Sequence, residues 1–344
     1  MVASWRGVMG AKACPHESTV IVSQSKYHVV MKGRMSSSCY LSIVVPVFNE
    51  QECIQEFIDQ VTIQMNLIEK SCELVFVDDG SMDRTVSIIR TNISRDSRIG
   101  LIEFSYNHGK PMALTAGMQF CRGEYVLMMD PDLQDPPEAI CSFLTEILQG
   151  YDVVYGIRKE KADTFLRKIF SSVFWWILDR FTGISLPRGI AAMRIMSRRF
   201  VDTFLLYKET NRFIEGLFSH VGLKQGTLLI DNRRRFAGVS KFNFKRRLDL
   251  ALNAIFDYSD LPLKITIRFG LIVTGVGLFA AFGLVIAKLA YVEFQIGWPS
   301  VMTTLVVGFG MQIFFMGLIG TYLGRIYKEV KNRPLYSIRD RVNI

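Results

Sequence analysis

Two aspartates separated by one residue, Asp130 and Asp132, follow the apolar run YVLMM and open the segment DPDLQDPPE. In an extended chain, side chains two apart point to one side, so both carboxylates can face one ligand. Two hard anionic oxygens suit Mg²⁺ or Mn²⁺ bridging to a diphosphate. Such a cation neutralises charge developing on a departing nucleoside diphosphate. Taken alone, a D-x-D is more often a turn with acidic residues. Here polar clusters precede it at three earlier points. Asn49 and Glu50 end LSIVVPVFNE, Asp78 and Asp79 end ELVFVDDGS, and Asn107, Gly109 and Lys110 follow IGLIEFSY. Asp79 can accept hydrogen bonds from a base N–H or ribose hydroxyls, while Ser81 or Asp83 can cap a helix starting near Arg84. Helix N-termini at these points favour phosphate, and Lys110 places a cation beside it. The spacing is not that of a Walker loop, which disfavours a P-loop kinase or ATPase.

The elements that must hold these residues read as strands alternating with helices. LSIVVPV, ELVFVD, IGLIEF and EYVLMM are short, nearly continuous apolar runs. The stretches between them, from Gln51, Met82 and Lys110, have helical spacing. That alternation predicts an α/β fold with a mostly parallel sheet covered by helices on both faces. Ligands of such sheets bind at the carboxyl ends of the strands, where the polar clusters lie.

Beyond residue 160 the pattern changes. Residues 162–181 and 244–261 carry apolar stripes flanked by Arg and Lys; the first reads as a core helix or as an amphipathic helix at a membrane interface, the second, just before an apolar run, as an interfacial one. Phe269–Ala287 and Phe294–Gly324 are uncharged. The first would be about 29 Å long as a helix, close to a hydrocarbon core of about 30 Å. Arg and Lys cluster before the first run and after the second, so a two-helix transmembrane hairpin is expected with both flanks cytoplasmic. The net charge of +9 over 344 residues sits largely beside these apolar segments. That points to a lipid bilayer and phosphorylated ligands rather than nucleic acid. Six cysteines show no paired or metal-ligand spacing and read as reduced thiols. Residues 1–38 lack the apolar run of a signal peptide. The expected organisation is a disordered extension over 1–38, a catalytic domain over 39–240, an amphipathic juxtamembrane segment over 241–265, transmembrane helices over 266–324 and a basic cytoplasmic tail over 325–344.

VVPVFNE, VDDGSMDRT, NHGKPMALTAG and DPDLQDPPE resemble, in order, the motifs of family-2 glycosyltransferases with a GT-A, Rossmann-like fold. MRIMSRRFVD, RFAGVSKFNF, YSDLPLK and MGLIGTYLGRIYKEVKNRPLY extend the resemblance to the polyprenyl-phosphate glycosyltransferases, over roughly residues 40–337. It implies transfer of glucose or a similar hexose from a UDP- or GDP-sugar to polyprenyl phosphate, with inversion, at the cytoplasmic face of a bacterial inner membrane. By the same likeness Pro46, Asn49, Glu50 and Asp79 contact the nucleotide. Lys110 lies near the diphosphate, Asp130 and Asp132 hold metal and diphosphate, and Gln134 sits beside them. Arg212, Arg235 and Lys241 match positions on the phosphate side. Self-association stays open. One departure stands out: the resemblance implies an acid, often found in the family, where this chain has Ala192. Two rival readings follow, an enzyme with another acceptor and a non-catalytic scaffold that binds nucleotide-sugar.

Overall fold

The structure is a computed structural model, describing residues 39–158, 189–231, 233, 261–290 and 297–344. The extension, both expected amphipathic helices, Arg235 and Lys241 lie outside the described residues. Strands β1 (Leu41–Val47), β2 (Cys72–Asp78), β3 (Ile99–Phe104) and β4 (Tyr125–Met128) alternate with helices α1 (Ile54–Asn66), α2 (Thr85–Ile93) and α3 (Lys110–Phe120). Then come α4 (Ala139–Ile147), β5 (Val153–Arg158), β6 (Ile190–Ser197), α5 (Arg198–Phe204), α6 (Ile214–Val221) and β7 (Gln225–Ile230). Two long helices, α7 (Leu261–Leu289) and α8 (Trp298–Val330), precede a last strand, β8 (Ile338–Val342).

All eight strands form one sheet in the order β7-β5-β6-β4-β1-β2-β3-β8. The parallel sheet expected from the sequence is present as β4-β1-β2-β3. The whole is mixed, because β6 runs antiparallel to both β4 and β5, and β8 antiparallel to β3. Every residue of β1, β2 and β3 is buried, as strands covered on both faces require. On one face α1, α2 and α4 pack Phe57, Ile89 and Phe143 against Ile43, Phe76 and Leu127. On the other, α3, α5 and α6 pack Ala113, Phe200 and Phe218 against Val44, Val77 and Tyr155. Local signals start the helices. Pro111 sits in the first turn of α3, Asp83 Oδ1 accepts the Thr85 N–H at 2.9 Å, and Ser197 caps α5 through the Phe200 N–H at 3.2 Å.

The two-helix transmembrane hairpin is corrected. Phe269–Ala287 lies within α7 and residues 298–324 within α8, and Phe269 touches Phe315 with ring centres 6.0 Å apart. Among the described residues, however, one segment is long and apolar enough to cross a membrane, Gly308–Val330. The first helix is not the uncharged run alone: it starts at Leu261 and takes in Lys264 and Arg268. Nor is the chain beyond α8 only a basic tail, since β8 adds a strand to the sheet beside β3.

Candidate active site

The carboxyl ends of β1, β2 and β4 and the loop after β3 surround a cleft of about 600 Å³. Its lining is Pro46, Val47, Phe48, Glu50, Asp79, Asn107, Gly109, Lys110, Asp130, Pro131 and Asp132. Each wall follows from the strand beneath it. Asp79 continues β2, donating its N–H to Val47 O at 2.9 Å, and Met129 continues β4 through Val44 O at 3.3 Å. Asp79 is buried. Its Oδ1 accepts the His108 N–H at 2.6 Å and its Oδ2 the Gly109 N–H at 2.9 Å. Burial raises its pKa above the ordinary value, and the two backbone donors oppose that rise.

Glycine is required at two points. Gly80 has φ +77°, and a Cβ there would lie 2.9 Å from the backbone carbon of Tyr106. Gly109, at φ +95°, turns the chain into α3. The β2 and β3 loops can thus approach closely enough for Asp79 to reach the His108 and Gly109 amides. Asp78 faces the same turn. Its Oδ2 accepts from Gly80 N at 3.2 Å and Ser81 N at 3.0 Å, and burial raises its pKa as well.

Lys110 Nζ lies 2.6 Å from Asp130 Oδ1 and 2.7 Å from Oδ2. Asp132 is buried, and its Oδ1 accepts the Gln134 N–H at 3.1 Å. Between them Asp130 and Asp132 present carboxylate oxygens to the cleft beside a lysine ammonium. No group of three or more His, Cys, Asp or Glu able to hold an ion occurs among the described residues. Two carboxylates still fit a divalent cation that takes its other ligands from water and substrate phosphates, as Mg²⁺ commonly does.

Of the residues expected at the site, Pro46, Glu50, Asp79, Lys110, Asp130 and Asp132 share this cleft. Asn49 is not in its lining. It adopts φ 52° and clamps the β2 loop, accepting the Met82 N–H at 2.8 Å and donating its own N–H to Ser81 Oγ at 2.9 Å. Gln134 lies on the turn past Asp132, where its Oε1 accepts from Arg158 Nη1 at 3.3 Å. Arg212 is buried away from the cleft lining, against Phe204 at 4.8 Å, and donates to Tyr207 O at 2.6 Å. Ala192 lies half-buried on β6. Sequence reasoning passed over His108, whose backbone holds Asp79, and Asp135. The latter is buried, accepts the Met193 N–H at 3.0 Å and pairs with Arg158 at 2.7 Å. The second aspartate of D-L-Q-D was its visible signal.

Residues 42–206 match the family described as "Glycosyl transferase family 2". An uncharacterized glycosyltransferase of Bacillus subtilis, YkcC, is 37% identical over 311 residues, covering 90% of this chain and 96% of the relative. A prophage-derived bactoprenol glucosyl transferase of Shigella flexneri is 34% identical over 300 residues, covering 87% and 97%. Among solved structures, a mannosyltransferase of Pyrobaculum calidifontis in complex with GDP-Man and Mn²⁺ aligns over 85% of this chain and 86% of its own. Its TM-score is 0.44 and its identity 17%. Relatives this similar across nearly their whole length carry the assignment: the chain is an enzyme of glycosyltransferase family 2.

Proposed function

We propose that this glycosyltransferase moves a hexose, glucose or a close relative, from a UDP- or GDP-sugar onto polyprenyl phosphate at the cytoplasmic face of a membrane. The observation that carries the reading is the single cleft that unites Asp79, Lys110, Asp130 and Asp132. Its chemistry matches a nucleoside diphosphate: a buried carboxylate for the nucleoside end and a lysine beside two carboxylates for the diphosphate. The acceptor class is supported by relatives named bactoprenol glucosyl transferases, 33–34% identical over 87–88% of the chain. Membrane attachment is supported by the apolar segment Gly308–Val330.

In this reading a lipid phosphate oxygen attacks the anomeric carbon from the face opposite the diphosphate. A new C–O bond forms as the bond to the diphosphate oxygen breaks, so the configuration inverts. Asp130 and Asp132 would hold Mg²⁺ or Mn²⁺, which supplies charge neutralisation for the leaving diphosphate. Lys110 adds a fixed positive charge on the same side, and Asp79 orients the nucleoside. A phosphate monoester, with a second pKa near 6, is already largely anionic at neutral pH. Attack therefore needs little help from a protein base, and positioning with electrostatic stabilisation does most of the catalysis.

The test is a panel of UDP- and GDP-sugars offered with polyprenyl phosphate and Mg²⁺ or Mn²⁺ to the full chain in detergent. Formation of a polyprenyl-phosphate sugar with one donor is expected. Turnover onto a different acceptor, with none onto polyprenyl phosphate, would overturn the acceptor assignment.

A further inference from the structure

The loop Asn107–Lys110 supplies two amides to Asp79 and the ammonium that meets Asp130. Its outer side is held by a distant part of the chain. His108 Nε2 accepts the Ser337 N–H at 3.2 Å and lies 3.1 Å from Ser337 Oγ. Ser105 N donates to Ser337 O at 3.0 Å, and the Ser105 and Ser337 hydroxyls are in contact. Tyr336 stacks on Phe104 with ring centres 5.1 Å apart, and its hydroxyl donates to Gln119 Oε1 at 2.5 Å. Phe104 ends β3 and Gln119 lies in α3, so the segment grips the loop at its centre and at the elements on either side. The β8 strand itself begins one residue later, at Ile338.

We propose that Tyr336 and Ser337 are positioning residues for sugar transfer, acting through His108 on the loop that sets the Gly109 amide against Asp79 and Lys110 against Asp130. The inference rests on reading the cleft as the nucleotide-sugar site. Asp79 is buried, and both its oxygens are taken by successive amides of this loop. A tilt of the loop loses both bonds together and leaves a buried carboxylate poorly satisfied, which is costly. Because Nε2 accepts a backbone N–H, the neutral ring must carry its proton on Nδ1. The same stretch continues from α8. The chain turns at Asn332, φ 45°, and Glu329 Oε1 accepts both N–H and Oγ1–H of Thr210, at 2.9 and 2.6 Å. The loop that faces the donor is thus tied to the helix that carries the apolar segment.

The experiment uses the full chain in detergent, with donor KM and kcat measured alongside hydrogen exchange at the Gly109 amide. His108→Leu removes the acceptor, whereas His108→Gln keeps one. The leucine variant should raise donor KM on the order of tenfold, more than it lowers kcat, and speed exchange at Gly109. The glutamine variant should recover most of both. Unchanged KM and unchanged Gly109 exchange in His108→Leu would overturn the proposal. If the leucine variant does not fold, Ser337→Ala and Tyr336→Phe carry the same two readouts. A smaller shift in the same direction supports the proposal, and no shift in either overturns it. A native chain that takes no nucleotide-sugar defeats the reading of the cleft instead, and the exchange measurement still decides whether the loop depends on this contact.

Discussion

Asp130 and Lys110 meet at 2.6 Å with side chains 27% and 49% exposed. An ion pair that open contributes about 0–1 kcal/mol to stability. Asp130→Asn should therefore abolish transfer while leaving thermal unfolding nearly unchanged, and Asp132→Asn should abolish it too, its amide oxygen still able to accept the Gln134 N–H; near-normal metal-dependent transfer by either would remove the metal assignment. His108 titrates in the opposite sense to an ion-paired histidine. Burial lowers its pKa below the ordinary 6.5, while Asp79, the charged group facing it, works against that. Tyr106, Phe104 and Ser337 complete its surroundings without charge. A depressed folded pKa means that its contribution is fully present above 6.5 and is lost as pH falls through the lower folded value. Donor affinity should hold from pH 8 down past 6.5 and fall only as pH drops through that lower folded value, and His108→Gln should flatten that limb. Ala192 stands where the sequence resemblance implies an acid. If the acceptor is the proposed lipid phosphate, it is pre-ionised, and Ala192→Asp should change single-turnover transfer by less than about tenfold. Clear transfer by the variant with none by the native chain would instead mark a degenerate site.

Among the elements, Gly80 marks where two loops lock together. A methyl group there meets the Tyr106 backbone at 2.9 Å in a left-handed conformation. Gly80→Ala should cost roughly 1–3 kcal/mol, read as a lower unfolding midpoint. The first three βα units and the fourth strand were legible because strands buried on both faces show as unbroken apolar runs, and their polar ends then point to the cleft; helix α4 after them was not read. The rest of the sheet was not. β6 carries Arg194, which is buried beneath Phe218 at 5.2 Å and reaches Glu215 at 3.4 Å. Such a charge is tolerated only through partners that no local pattern shows. β8, Ile-Arg-Asp-Arg-Val, reads as a basic tail because edge strands carry charge outward. Its Asp340 meets Arg90, which also holds the buried Glu103 of β3. Asn49 was expected at the nucleotide from its motif alone; nothing in the spacing shows that its side chain binds the neighbouring loop.

At the scale of the molecule, the chain leaves the sheet after β7 and rejoins it at β8. β8, and with it Ile338–Val342, therefore lies on the side of that sheet. Cysteine labels placed at 338–344 should be accessible only from that side of sealed vesicles, and labelling from the other would refute it. At the other end, the sheet is tied from Tyr40 onward, where its N–H meets Ser71 O at 2.8 Å. A chain started at Met35 should match the full one in activity and unfolding midpoint, whereas loss of folding would show that residues 1–34 pack on the domain.

The strand that completes the sheet also sets an order of events during synthesis. Ser105 and Ser337 are neighbours, yet 232 residues separate them. At about 5–20 residues per second, β3 leaves the ribosome many seconds before its partner exists. In that interval Ile99–Phe104 presents an open, apolar edge, the kind that pairs with other chains. A ribosome stalled before residue 338 would release a polypeptide with its cleft residues all made and its sheet unclosed, a natural client for chaperones.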